Sequence, residues 1–239
     1  MEPVLLGVLL PGSVAVGDGI NQARRGTVRI GKGDVPAIVK AVPLREVAVE
    51  LLCALLGQRL ELPVAEPLLV RLEDRTLGFG SVDLGYPSFR RYLQNDSDPR
   101  VLQRLLSWPN LVSAASFDNW IANPDRHVGN LLFDGTTQFW LIDHGLTLAP
   151  RLAPADAVNN LLLLLAQQGR DELALQRLKR ELIGFAGTYR SEDARAAGAQ
   201  IPLPQAAELV DFLTARLTHL TNLARHHLRT RQQDLDYGR

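Results

Sequence analysis

A chain of 239 residues, 46% hydrophobic and 22% charged, holds enough apolar material for one large domain or two packed lobes. Lys plus Arg number 26, as do Asp plus Glu, so the net charge is zero and no overall field draws the chain toward nucleic acid or a membrane surface. The single cysteine, Cys53, excludes an internal disulfide and suits a reducing, cytoplasmic setting.

The opening MEPVLLGVLLPGSVAVG is apolar but too short to span a bilayer, and Glu2 stands where a signal peptide carries Lys or Arg. It reads as a first strand over 4–10. Further strands are predicted at 27–30 and 36–42, with the polar, glycine-bearing loop GDGINQARRG (17–26) before them and a hairpin turn at GKGD (31–34). This front part reads as a small antiparallel sheet. Leu44, Val47, Ala48, Leu51, Leu52, Leu55 and Leu56 then recur at steps of three and four, predicting a helix over 43–57 with Pro43 at its start and Gly57 at its stop. Another strand is expected at 68–74, and 79–89, without a clean period, is expected as a crossing.

Beyond residue 100 the pattern turns helical, with a break at Pro109 and Asn110 placed to cap a helix through Trp120. Residues 151–228 read as helical, including the very apolar NLLLLLA (160–166). The basic stretch ARHHLRTRQQ reads as a solvated helix end. A β-rich front and a helical back joined by one crossing suggest two lobes with a cleft between them.

Between these helices lies NPDRHVGN (123–130), followed by the apolar runs NLLF (130–133) and QFWLID (138–143) around Asp134, Gly135, Thr136 and Thr137. A four-residue loop there pairs Phe133 with Gln138, Asn130 with Leu141 and Val128 with Asp143. Asn130 and Asp143 then share a face at diagonal-neighbour range, roughly 7–8 Å between backbones, and one hard cation can touch both. A register slip of one residue puts them on opposite faces. Asp125 lies on the loop entering the same hairpin. Mg2+ takes a few oxygen ligands beside phosphate oxygens, and a carboxylate not committed to the metal can accept a hydroxyl proton. The competing reading is that Asn, Asp, Pro and Gly serve turns for backbone reasons alone.

The pattern N-x-D-R-x-x-x-N followed by L-I-D-H-G resembles the catalytic region of the HipA-like kinases, within the protein-kinase-like phosphotransferases. Its D-R-H-x-x-N form also resembles the phosphoinositide lipid kinases. The resemblance is dense over 37–57 and 117–148. It implies an α+β, bilobal, protein-kinase-like fold: a small antiparallel-β N-lobe with one helix over 1–83, and a mainly helical C-lobe over 84–239 carrying the catalytic loop 123–130 and the hairpin 130–143. It makes Asp125 the catalytic aspartate, Asn130 and Asp143 the Mg2+ ligands, and Lys40 the phosphate-orienting lysine. Glu46 would tether Lys40, with Glu50 as the alternative. Gly17 and Gly19 of GDG would cover the phosphates. His144 departs from the Phe usual after the metal-binding Asp in protein kinases.

By this resemblance the activity is Mg2+–ATP-dependent transfer of the γ-phosphoryl group to a hydroxyl, with a Ser or Thr of a protein as the favoured acceptor and no direct nucleic-acid partner. A small-molecule or lipid acceptor is the first alternative, and a nucleotide-binding regulatory module without turnover the second. Arg126 can pair with a carboxylate or a phosphate or lie on the surface. His127 reads as a structural hydrogen bonder, Trp120 and Trp140 as core, and one Cys with five scattered His gives no zinc spacing.

Overall fold

The computed structural model describes residues 3–16, 23–95 and 99–228. The chain begins with β1 (Leu5–Leu9), the two-residue β2 (Val14–Ala15), β3 (Arg24–Ile30) and β4 (Gly33–Lys40). It passes through helix α1 (Leu44–Arg59) and returns to the sheet with β5 (Pro67–Arg71) and β6 (Leu77–Val82). The predicted turn joins β3 to β4, with Ile30 opposite Gly33.

The expectation of a wholly antiparallel sheet is corrected by β1. It runs antiparallel to β3, with Gly7 opposite Ile30, and parallel to β5, with Leu5 opposite Leu68. Because β1 is paired on both edges, the ring β1-β5-β6-β4-β3 closes into a five-stranded, barrel-like sheet. Closure leaves these strands no open edge to pair with another chain.

Strand β6 (Leu77–Val82) runs into the start of the stretch expected as a crossing. Its apolar alternation is broken by two glycines that the packing demands. A Cβ on Gly78 would lie 2.6 Å from the Lys40 carbonyl oxygen, and one on Gly80 would lie 2.7 Å from the Val70 side chain. The crossing itself is shorter, 83–88.

Helix α1 is buried on every side from Val47 to Gly57, not on one face alone. Apolar residues all round a helix mark a central one. It packs on β5 and β6 and also on α7 (Ser191–Gly198) and α8 (Ala206–Arg216). Gly57 does not stop the helix. A Cβ there would sit 3.0 Å from Val64, so its smallness serves close approach.

After the crossing come α2 (Phe89–Asn95), α3 (Pro99–Leu106) and α4 (Leu111–Trp120), then the hairpin β7 (Leu131–Phe133) and β8 (Phe139–Leu141). The remaining helices are α5 (Leu161–Gln167), α6 (Glu172–Thr188), α7, α8 and α9 (Leu220–His227). Asn110 precedes α4 without a capping side-chain bond, whereas Asn160 caps α5 by accepting from the Leu163 N–H at 3.0 Å.

Residues 151–160 are not helical, contrary to expectation. They are fastened from below by the buried Arg216, which donates to the carbonyls of Pro154 and Asp156 at 2.8 and 2.9 Å and to that of Asn119 at 2.8 Å. Burial lowers the Arg216 pKa to about 10. One hydrophobic cluster joins α1, the hairpin and the later helices, and a smaller one of Leu9, Val28, Ala37, Val39, Leu68 and Val70 fills the closed sheet.

Candidate active site

Lys40 is the last residue of β4, opposite Phe79 of β6, and its side chain is buried. Its ammonium donates to Glu50 Oε1 at 2.6 Å and to Asp143 Oδ1 at 2.7 Å. Burial lowers the Lys40 pKa, but the charges of Glu50 and Asp143 outweigh it, and the net shift is upward. The ammonium stays protonated.

The expected partner Glu46 is corrected to Glu50, one helical turn further along α1. Glu50 is wholly buried among apolar neighbours, where an ionised carboxylate survives only with a partner. Its second oxygen accepts from the His144 backbone N–H at 2.9 Å, so one carboxylate joins α1, β4 and the loop after β8. Burial raises the Glu50 acid, yet Lys40 and His144 overcome this and hold it at about 2. Glu46 instead rests on Gly145, where an added Cβ would meet its Oε1 at 2.6 Å. Burial, then the neighbouring Glu50, raises the Glu46 pKa.

The hairpin register also differs from expectation. Phe133 pairs with Phe139, Leu132 with Trp140 and Leu131 with Leu141. The loop holds one residue more because the Asp134 carboxylate accepts from the N–H groups of Thr136, Thr137 and Gln138 at 2.7, 3.0 and 3.1 Å, drawing Gln138 into the turn.

Continued strand alternation would now set Asn130 and Asp143 on opposite faces. The ladder ends at Leu131–Leu141, however, with one further bond from the Ile142 N–H to the Asn130 carbonyl at 3.2 Å, and neither Asn130 nor Asp143 keeps strand conformation. Asn130 ends a 3-10 turn (Val128–Asn130), and Asp143 adopts φ +60°, in the left-handed region that re-aims a side chain. Asp143 is thereby directed to Lys40.

Around Asp125 the backbone is tightly held. The Asp125 N–H donates to Asn123 Oδ1 at 3.0 Å, and the Asn130 amide nitrogen donates to the Asp125 carbonyl at 3.0 Å. The second bond assigns the Asn130 amide oxygen to the opposite side. The Asp125 side chain is half-buried.

Arg126 pairs with a carboxylate rather than a phosphate or solvent: Nε and Nη2 each lie 2.9 Å from an oxygen of Asp118, and both side chains are fully buried. His127 Nδ1 accepts from the Gly129 N–H at 2.9 Å, a local bond within the loop. Trp120 is core, but Trp140 is half-exposed and stacks on Tyr86 with ring centroids 4.6 Å apart. Gly17 and Gly19 lie outside the described residues.

Asp118, Asn123 and the central role of Glu50 escaped the sequence reading. Each had a signal, an acid or amide set among apolar residues in VAVELLCALL or SAASFDNWIAN, and such groups need partners.

Among the described residues no three His, Cys, Asp or Glu side chains converge on a common point. One amide oxygen from Asn130 and the one-third-exposed carboxylate of Asp143 fit a different arrangement, a Mg2+ that keeps waters and shares phosphate oxygens. A protonated lysine beside that carboxylate can hold phosphate oxygens, and the half-buried Asp125 carboxylate stands outside these contacts.

The family model described as HipA-like kinase matches residues 37–161, a span containing Lys40, Glu50, Asp125, Asn130 and Asp143. Among solved structures, the fold is similar to that of the Helicobacter pylori proinflammatory kinase CtkA, with a TM-score of 0.54 at 14% identity over 95% of this chain and 98% of that one. No curated protein sequence matches the chain.

Proposed function

This chain belongs to the HipA-like kinase family, and from that premise we propose that it is a Mg2+–ATP-dependent phosphotransferase moving the γ-phosphoryl group to the hydroxyl of a protein Ser or Thr. The observation that carries the reading is the double contact of Lys40, 2.6 Å from Glu50 and 2.7 Å from Asp143. It joins a strand, a helix and the loop after the hairpin at one charged point.

In this reading Lys40, kept cationic by its two carboxylates, orients the α- and β-phosphates. Asn130 and Asp143 hold Mg2+, whose charge offsets that developing on the phosphoryl oxygens. Asp125, uncommitted to the metal, aligns the acceptor hydroxyl and takes its proton. Residues 1–83 and 84–239 form the two lobes that enclose the nucleotide. No described helix is long and apolar enough to cross a membrane, and the enzyme is assigned to the cytoplasm with its protein substrate.

Purified protein incubated with γ-labelled ATP and Mg2+ tests the proposal. Label on a protein Ser or Thr supports it. Label in a new soluble or lipid product moves the acceptor to the first alternative, and no transfer with retained nucleotide binding leaves a regulatory module.

A further inference from the structure

The ladder of β7 and β8 ends at Leu131–Leu141, one residue short of Asn130 and two short of Asp143. Beyond that rung one main-chain bond remains, from the Ile142 N–H to the Asn130 carbonyl at 3.2 Å, and none among the described residues reaches Asp143. A side chain reinforces it. Arg126 Nη1 donates to the carbonyl of Asn130 at 3.0 Å and to that of Ile142 at 2.7 Å, so one nitrogen clamps both residues of this last main-chain bond.

The rest of the guanidinium is fixed by Asp118 on α4, whose two oxygens take Nε and Nη2. The same carboxylate also accepts from Asn123 Nδ2 at 3.0 Å, and Asn123 Oδ1 receives the Asp125 N–H. From one buried carboxylate, single intermediaries therefore reach the backbone at Asp125, at Asn130 and at the residue before Asp143.

We propose that Asp118 and Arg126 are positioning residues, which set the separation between the catalytic Asp125 and the metal-holding oxygens of Asn130 and Asp143. The inference rests on the phosphotransfer reading above. Stability alone does not account for the pair, because a fully buried ion pair is often replaceable by apolar residues without loss. Geometry does. Arginine presents its donors in a rigid planar fork, so it can hold a bidentate carboxylate on one side while reaching two carbonyls on the other. A lysine keeps the charge but cannot span both.

The test compares Arg126→Lys and Asp118→Asn with wild type and with Leu105→Ala, a core truncation on α3 that lowers stability without touching this network. ADP binding is measured by calorimetry across free Mg2+ concentrations and in EDTA, alongside thermal unfolding of the unliganded proteins. Partners behind metal ligands typically change metal affinity by ~10–100-fold. The expected result is a Mg2+ midpoint raised at least ~10-fold in both network variants, with EDTA binding of ADP unchanged and with Leu105→Ala showing the wild-type midpoint.

A wild-type midpoint in Arg126→Lys or Asp118→Asn, a parallel loss of binding with and without Mg2+, or an equal shift in Leu105→Ala overturns the proposal. Should one network variant fail to fold, the other decides, since each removes a single partner. Failure of both assigns the pair to stability alone and also overturns it. If ADP binding to the wild type ignores Mg2+, the phosphotransfer reading itself falls, and the positioning role with it.

Discussion

Lys40 and Asp143 lie 103 positions apart in sequence and 2.7 Å apart in space. The contact depends on β4 ending at Lys40 and on the left-handed backbone of Asp143, and Glu50 locks it from beneath at 2.6 Å. Replacing Lys40 by Met leaves Glu50 charged and fully buried with its main partner gone. Removing one member of a buried pair costs about 3–5 kcal/mol, so Lys40→Met is expected to lose that much stability at pH 7 in urea denaturation. A change below about 1 kcal/mol would show that the pair adds little to the fold.

The same pair gives a pH signature. The Glu50 acid lies at about 2 in the folded protein against an ordinary 4.5, so its contribution is fully present above pH 4.5 and drains as pH falls toward 2. In Lys40→Met the unpaired, buried acid moves above its unfolded value, and protonation then favours the fold. The stability gap between wild type and Lys40→Met is therefore expected to narrow between pH 7 and pH 3. A gap that stays constant over this range would mean that Glu50 does not titrate as a partner of Lys40.

Asp125 is placed to separate binding from chemistry, since only its main chain takes part in the bonds that hold the loop. Asp125→Asn is expected to leave Mg2+–ADP binding within about twofold of wild type while lowering turnover by at least ~100-fold, about 2.7 kcal/mol of barrier. Equal losses in binding and turnover would place Asp125 among the nucleotide-holding groups instead.

How much of this was legible in the sequence differs by kind of interaction. Lys40, Asp125, Asn130 and Asp143 stand out because their types and spacings are local. Strand alternation nonetheless does not join Asn130 to Asp143, because the register is Leu131 with Leu141. Register depends on Asp134 collecting three backbone N–H groups, which a count of loop residues does not reveal. The resemblance puts Glu46 first and Glu50 second, and only burial all round α1 makes the mid-helix carboxylate the one that needs an ammonium. Strand β6 hid behind Gly78 and Gly80. Closure of the sheet rests on β1 meeting β5 some sixty residues later, a non-local pairing with no motif of its own.

Cys53, the single thiol, reports on α1. Burial, only partly opposed by the 3.3 Å contact with Thr147, pushes its pKa up to about 12. Almost no thiolate then exists at pH 8, and the sulfur has no solvent access. Labelling by an alkylating reagent is expected to be at least ~100-fold slower than for the urea-unfolded chain and to follow opening of the fold. Labelling of the native protein at the unfolded rate would mean that α1 is not the central helix described above.

Gly145 and Glu46 offer a test of the packing between α1 and the loop after β8. A methyl group at position 145 would meet Glu46 Oε1 at 2.6 Å and its Cγ at 3.0 Å, with no other heavy atom as near. The obstacle is a side chain, so Gly145→Ala should displace Glu46 rather than break the loop, at a cost of about 1 kcal/mol. In a Glu46→Ala background the three nearest atoms, all of Glu46, are gone, and the same substitution should cost much less. Urea denaturation of the four proteins is thus expected to yield a coupling of about 1 kcal/mol, the double variant losing less than the sum of the two single losses. Additive effects within about 0.3 kcal/mol would mean that Glu46 does not lie against Gly145 in solution, and α1 would then meet this loop through Glu50 and His144 instead.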